Sequence, residues 1–581
     1  MEDTNFVNDL FFSPGKKRGT LVDERIEVAK KGWDKNGDDY AKRMKDAKKF
    51  LKPGTKIVDS KDGVALLEAT IRSGDKINIE GDNQKQADFL ARCLTKIDSS
   101  KINNLHMVQS VLALPEHIEV FKKGIASKVD FCYSGPLSNE LADMVMENKI
   151  SIGAIHTYIE LFSRTYLDLI PKVALVAANA ADKNGNLYTG FNSEETTSVV
   201  ESTKFRKGIV IAQVNEIVDK LPRVDIPGDW VDFVIPTEEP YYIEPLFTRD
   251  PALITESQIF IAMLSMMGIY SRYEVSSLNH GIGFNTASVE LLLPTFGEEM
   301  GLKGKICSHW ILNPHPTMIP AIESGWVDKI MPFGSEVGME KYIMSRPDIF
   351  PIGPDGTMRS NRFAAQAAGH YAIDAFFGST LQIDQYGNSS TATAGRIPGF
   401  GGAPNMACNA PGRRHTSPGW LMTAKEHGMR EELIGPINRG KKLVVQMVET
   451  FGEGMAPVFV EKLDAFKLQK QANFAIPPIM IYADDITHIV TEEGIAYVHK
   501  CKTLKDRADA IKAIAGYTPL GLEVDDSKTN KLRKEGIVAL PEDLNLSFND
   551  AKRSRLAAKS MSELVEWSGG LYEPPVRFRN W

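Results

Sequence analysis

ADKNGNLYTG, residues 181–190, returns later in the chain as IDQYGNSSTA, residues 383–392. Both carry Asp-x-x-Gly-Asn, with Asp182, Gly185 and Asn186 against Asp384, Gly387 and Asn388. Glycine or asparagine supplying positive φ between two extended runs reads as a tight turn. Two further echoes follow in the same order. RKGIVIAQVNE (206–216) matches GKKLVVQMVET (440–450), a basic start and then a buried strand, and VDFVIPTEEP (231–240) matches ITHIVTEEGI (486–495). Three matches in one order predict two related domains. The offset grows from each echo to the next, so the second copy carries insertions.

Outward from these echoes, short apolar runs alternate with helical patterns: KINIEG, VALVAA, GIVIAQV, DFVIP, KLVVQMV and IMIYA. Short buried strands separated by helices predict an α/β fold, two related domains that are each an open, mostly parallel sheet flanked by helices. The expected division is a charged, helical N-terminal extension at 1–55, a first domain at 56–250, a second at 251–540, and a polar tail at 541–581. A helix is expected within AKRSRLAAKSMSELVEW (551–567). A ligand site is expected between the halves.

The whole chain is consistent with this division. Its 581 residues exceed what one core holds, and 43% hydrophobic with 25% charged residues is ordinary globular composition. A net charge of −7 and a pI near 6.0 argue against a nucleic-acid footprint. The basic runs Lys16-Lys17-Arg18 and Gly412-Arg413-Arg414-His415 are short and read as solvated. MEDTNFVNDLFF has no signal-like apolar core, and no window reaches the roughly 18 apolar residues of a membrane span, so a cytoplasmic protein is expected. Five cysteines with no CxxC spacing read as buried thiols, with Cys408 the one close to a glycine segment. Eleven histidines include no HExxH; His309 and His315 flank a turn at Asn313-Pro314 and read as hydrogen-bonding residues, so no metal site is expected.

Four segments could carry chemistry. GRIPGFGGAPN (395–405) packs Gly395, Gly399, Gly401 and Gly402 into eight positions. Glycine gives up backbone entropy and packs nothing, so such a run implies positive φ or close approach to the main chain. Consecutive N–H groups can bind an oxyanion, which makes Gly401 and Gly402 expected donors, with the Asn405 amide at the end of the segment. A structural turn is the alternative. NHGIGFNTASVELLLP (279–294) places Gly281 and Gly283 before Asn285 and Thr286 at a helix start that favours phosphate, carboxylate or oxyanion; it lacks a P-loop and a full GxGxxG. EGDNQKQADFL (80–90) sets Asn83 and Gln84 at a strand's C-terminal end, where α/β proteins place ligands. GPLSNELADMVMENKISIGAIHTYIELFSR (135–164) gathers His156, Tyr158, Glu160 and Arg164, with Glu160 and Arg164 spaced for a helix ion pair.

LVAANAADKNGNLYTGFNS (175–193), IVIAQVNE (209–216) and GSTLQIDQYGNSSTATAGRIPGFGGAPN (378–405) resemble the CoA-transferase superfamily, in the acetyl-CoA hydrolase and citrate lyase α-subunit branch. EGDNQKQADFL, IGAIHTYIELFSR (152–164), the stretch from Gly283 to Trp326, GFGGAPN (399–405) and PPIMIYADDITHIVTEEGIAYV (477–498) are similar to malonate decarboxylase α subunits, over roughly residues 10–520. That resemblance implies two CoA-transferase-like domains and a transferase reaction: acetyl-S-acyl-carrier-protein plus malonate gives malonyl-S-acyl-carrier-protein plus acetate. It implies no cofactor bound covalently to this chain, a phosphoribosyl-dephospho-CoA group on a partner acyl carrier protein, CoA as its surrogate, and further decarboxylase subunits as partners. Arg396 becomes the expected grip on the distal malonate carboxylate.

The wider superfamily forms a glutamyl thioester upstream of a helix ending IEAG. Here that helix resembles MIPAIESGW (318–326), and the counted position falls near Ile311 in HWILNP (309–314), where no acid stands. The resemblance therefore implies direct attack by malonate through a mixed anhydride, with Glu336 in FGSEVGME (333–340) as the alternative nucleophile. Two other readings stay open within the fold, an acyl-CoA:carboxylate CoA-transferase and a citrate lyase α-type transferase. A non-catalytic scaffold that holds a carrier protein is the alternative of another class.

Overall fold

A computed structural model describes residues 31, 35–81, 85–371, 373–407, 443–579 and 581. Cys408 and the basic run at 412–415 lie outside them, as do Asn83 and Gln84. Two large sheets organise the chain. The first holds β1 (Lys76–Ile79), β2 (Leu105–Val111), β3 (Ala126–Tyr133), β4 (Ser151–Ile155), β5 (Val173–Ala181), β6 (Leu187–Tyr188), β7 (Ile209–Ile217) and β8 (Phe233–Pro236). The second holds β9 (Ser277–His280), β10 (His309–Ile311), β11 (Lys329–Met331), β12 (Ala375–Gly378), β15 (Leu443–Met447), β17 (His488–Thr491), β18 (Gly494–Ala496) and β19 (Val538–Ala539). A small sheet joins β13 (Gln382–Asp384), β14 (Ser389–Ser390) and β16 (Phe459–Val460).

The two large sheets are built outward from a central strand in the same way, though not strand for strand. The first runs β4-β3-β2-β1-β5-β7-β8 and the second β11-β10-β9-β12-β15-β17-β18-β19. Each chain segment starts centrally, steps outward to one side, then returns and builds the other side, in parallel except for β6 beside β5 and for β18 and β19 at the far edge of the second sheet, which pair antiparallel. The strands are near-continuous apolar runs because helices cover both faces. Val173, Leu175, Ile209 and Ile211 belong to the first core, and Leu278, Trp310, Phe377 and Val445 to the second.

The paired turns match bond for bond. Asp182 Oδ1 accepts the N–H of Asn186 at 3.0 Å and its Oδ2 accepts Asn186 Nδ2 at 2.7 Å. Asp384 does the same for Asn388 at 3.0 and 2.9 Å. Gly185 and Gly387 carry φ of +83° and +93°, the left-handed region the turn requires.

The glycine segment 395–405 is the seam between the halves. Cys132 O, near the end of β3, accepts the N–H groups of Phe400 at 2.7 Å and Gly401 at 2.9 Å, and Pro398 O accepts Ser134 N–H at 2.7 Å. Gly399 sits at φ +82°, and a Cβ there would lie 2.4 Å from Cys132 O. Gly399→Ala is therefore expected to cost at least about 2 kcal/mol, from left-handed strain of about 1–2 kcal/mol plus displacement of the seam. Gly395→Ala meets open space and should be near neutral. Urea unfolding of both variants checks the contrast. A buried Arg362–Glu194 pair also spans the halves.

The ends pack more tightly than composition suggests. Residues 35–47 form a helix, and Arg43 grips Asp75 at 2.5 and 3.0 Å. The polar tail instead sends Leu556, Met561, Leu564 and Tyr572 into the second core. Its helix spans Met561–Trp567. Among the described residues no helix is long and apolar enough to cross a membrane.

Candidate active site

A cavity of about 330 Å³ opens between the halves. Tyr133 and Tyr158 reach it from the first half; Arg249, the segments after β9, β10 and β12, and the glycine segment from Arg396 to Met406 form most of the rest. Those three strands are neighbours, and the chain reverses its direction of sheet-building between β9 and β12. Such a switch point leaves a crevice at the strands' carboxyl ends, where open α/β sheets bind ligands. The equivalent place in the first half, beside β1 and β5, holds a buried ion pair. There the Lys85 ammonium lies 3.1 Å from Glu80 Oε1 and donates to Ala177 O at 2.9 Å, while Glu80 Oε2 accepts Ala177 N–H at 2.7 Å.

The structure separates the expected site residues. Gly281, Arg396, Gly401 and Gly402 line the cavity. Gly283, Asn285, Thr286 and Asn405 do not. The N–H of Gly281 is already bonded to Phe377 O at 2.6 Å, and a Cβ would lie 3.2 Å from the same oxygen. Its glycine thus serves close approach of β9 to β12. Thr286 Oγ1 bonds back to Gly281 O at 2.8 Å, and Asn285 Nδ2 donates to Met447 O at 3.2 Å. The donors of both side chains at this helix start are spent on structure.

The expectation of two glycine donors needs correcting. Gly401 N–H is spent on Cys132 O, the contact that fixes the seam, so it cannot also meet an oxyanion. Gly402 N–H has no acceptor among the described residues. Asn405 stands behind the wall and donates its Nδ2 to Gln366 O at 2.8 Å, a positioning bond. Glu336 is buried outside the wall and accepts Thr248 N–H and Oγ1–H at 3.0 and 2.7 Å. The helix pair expected between Glu160 and Arg164 is also replaced. Arg164 grips Asp168 at 2.5 and 3.0 Å, and Glu160 faces His156 Nδ1 at 3.2 Å. Asp130 takes the other nitrogen of His156 at 2.7 Å, and these bonds outweigh burial to raise the His156 pKa.

Three wall residues escaped the sequence reading. Arg249 donates Nη1 to Leu246 O and Thr248 O at 2.8 and 2.9 Å and sits 5.8 Å from the Phe284 ring centre. Burial lowers its pKa, and no carboxylate forms an ion pair with it among the described residues. Gln366 sits on the helix Arg362–Tyr371. His280 caps a buried network: its Nδ1 and that of His315 lie 2.8 and 2.9 Å from Glu290 Oε1, and Tyr270 OH lies 2.7 Å from His280 Nε2. Arg396 stands half-exposed, with Nη1 3.6 Å from Glu453. Among the described residues no group of three or more His, Cys, Asp or Glu could hold a metal.

The cavity wall at this switch point is basic and, among the described residues, carries no Asp or Glu. Residues 32–581 match the family described as malonate decarboxylase, alpha subunit, transporter. The acetyl-S-ACP:malonate ACP transferase of Malonomonas rubra is 61% identical over 551 residues, which cover 95% of this chain and 99% of that protein. A chain of a Pseudomonas malonate decarboxylase hetero-tetramer in complex with malonate superposes with a TM-score of 0.88 at 53% identity, covering 94% of this chain and 99% of that one. The malonate decarboxylase α subunit of Acinetobacter baumannii gives 0.87 at 50% identity, covering 94% and 100%. A citrate lyase α-subunit structure from Streptococcus mutans shares the fold, with a TM-score of 0.56 at 16% identity over 90% of this chain and 88% of that one. With near-complete coverage on both sides and the duplicated sheet in common, this chain belongs to the malonate decarboxylase α-subunit family.

Proposed function

We propose that this chain exchanges acetate for malonate on the thioester of an acyl carrier protein, within a complex that contains further malonate decarboxylase subunits. The thiol would belong to a phosphoribosyl-dephospho-CoA group on that carrier. The observation that carries the reading is the pairing, in one cavity, of an acid-free guanidinium at Arg249 with an unpartnered main-chain N–H at Gly402. The first suits a dicarboxylate and the second an oxygen that gains charge. Arg249 rather than Arg396 holds the distal carboxylate, because the half-exposed Arg396 already faces Glu453 whereas no carboxylate pairs with Arg249 among the described residues.

The exchange needs no proton from the protein. One malonate carboxylate oxygen adds to the acetyl carbonyl carbon, and the C–S bond breaks with its electrons on sulfur. The thiolate then adds to the malonyl carbonyl of the mixed anhydride, and acetate leaves. The chain's part is to hold both reactants and to meet the oxyanion. We assign the two sheet-bearing units to residues 56–250 and 251–540, with the reaction at their seam.

Acetyl-CoA offered with malonate, citrate or buffer, followed by mass spectrometry, tests this. Malonyl-CoA formed with malonate alone is the expected result. Citryl-CoA, or hydrolysis indifferent to malonate, would move the chain to another reaction.

A further inference from the structure

We propose that the side-chain amide of Gln366 is the second oxyanion donor of this site, beside the N–H of Gly402. The inference rests on the acyl-exchange reading above. Gly402 is glycine because of its surroundings, not because of its own backbone. That residue lies at φ −87° and ψ −7°, a conformation open to any amino acid, so its backbone does not require glycine. Its surroundings do. A Cβ at 402 would come within 2.5 Å of Gln366 Nε2 and 2.8 Å of Oε1. Glycine is what lets the amide lie flat against the main chain at this point.

The amide is held in place. Gln366 is 1% exposed, yet it lines the cavity. Its own carbonyl accepts Asn405 Nδ2, which joins the helix Arg362–Tyr371 to the turn after Gly402. One turn earlier on that helix, Arg362 pairs with Glu194 of the first half. Oε1 is buried without a hydrogen bond among the described residues, which leaves Nε2 as the end that meets a ligand. The amide is neutral, so it does not compete with Arg249 for the substrate's charge.

The chemistry asks for two donors where the backbone now supplies one. As the malonate oxygen adds to the acetyl carbonyl carbon, the π electrons of the C=O bond move to its oxygen. Gly402 N–H and Gln366 Nε2–H donate to that oxygen. When the double bond re-forms, the C–S bond breaks and its electrons leave with sulfur. Preorganised donors of this kind, backbone or side-chain amide, strengthen as charge develops and are felt in kcat.

Gln366→Met keeps the length and volume of the side chain and removes the donor. With acetyl-CoA and malonate, kcat is expected to fall about a hundred-fold while both KM values stay within about threefold. The second readout is the infrared stretch of carbonyl-13C-labelled acetyl-CoA bound to the protein. The wild-type band should lie below its position in water, and the variant should lose much of that shift. Gly402→Ala, which presses a methyl into the amide, should reproduce both effects, and the double variant should add little to either. This second variant carries the test if the first does not fold. Unchanged kcat, or an unchanged carbonyl band, in a folded variant overturns the proposal. Wild-type protein that shifts the carbonyl but forms no malonyl-CoA would instead overturn the exchange reading and leave the hydrogen bond standing.

Discussion

Arg249→Ala is expected to lower kcat/KM for malonate by about a hundred- to a thousand-fold, chiefly through a raised malonate KM. The guanidinium is half-buried in the cavity wall, and its Nη1 is tied to two carbonyls of its own loop. Those bonds fix its direction but supply no negative charge. Burial lowers its pKa, the mark of a cation that has lost water without gaining an acid partner. A dicarboxylate would return the missing charge in a place where water screens little. Truncating one side of such a pair costs about 2–5 kcal/mol, and each 1.4 kcal/mol is about tenfold in affinity. Arg249→Lys should recover little, because an ammonium cannot keep both carbonyls and a forked contact. Arg396→Ala is the control. Its side chain is exposed and screened, so a loss under about tenfold is expected. Initial rates against malonate concentration separate the cases. A malonate KM untouched by Arg249→Ala would sink the assignment.

The duplicated fold was legible because its signal is local. Asp-x-x-Gly-Asn needs only its own side chains and one positive φ, so both copies close with the same bonds. The glycine segment was legible in part. Glycines announce that something comes close to the main chain, and the sequence does not say what. At Gly399 and Gly401 the neighbour is a strand of the other half; at Gly402 it is a glutamine amide. Asn285, Thr286 and Asn405 were read as ligand groups for the same reason: their hydrogen-bonding capacity is visible in sequence, but the backbone carbonyls that absorb it are not. Arg249 and Gln366 carry no motif. One lies in an irregular link after β8, and the other reads as an ordinary position in an alanine-rich helix. Only the docking of the halves brings them to one wall. The tail misled through composition, since its buried residues are spread among short turns without a period.

Glu290 sets the second large effect, on stability and its pH dependence. Its carboxylate is fully buried beneath the cavity wall and faces three donors, the Nδ1 groups of His280 and His315 and the hydroxyl of Thr317. Burial alone would raise its pKa. The interactions with His315 and His280 outweigh burial and bring it down to about 2. The folded value is therefore depressed below the ordinary 4.5, so the carboxylate adds stability above about pH 4.5 and loses it as pH falls toward about 2. At about 1.4 kcal/mol per pKa unit the contribution is on the order of 3 kcal/mol. His280 works in the same direction. Burial lowers its pKa, so the native state resists the proton that the unfolded chain takes up below about pH 6.5, and acid costs stability there too. Glu290→Ala leaves three buried donors without an acceptor and should cost about 3–5 kcal/mol at pH 7. Glu290→Gln keeps the shape but removes the titration. Urea midpoints should fall with pH between about 4.5 and 2 in the wild type and fall less steeply over that window in Glu290→Gln, where the remaining carboxylates and His280 still titrate. Parallel curves would mean that the carboxylate is not ionised in the folded protein. The network also bears on the cavity, because His280 is part of its wall and the Tyr270 hydroxyl holds the Nε2 of that imidazole. Loss of Glu290 should therefore reach catalysis through the wall as well as through stability, and at pH 7 Glu290→Gln should retain more exchange activity than Glu290→Ala.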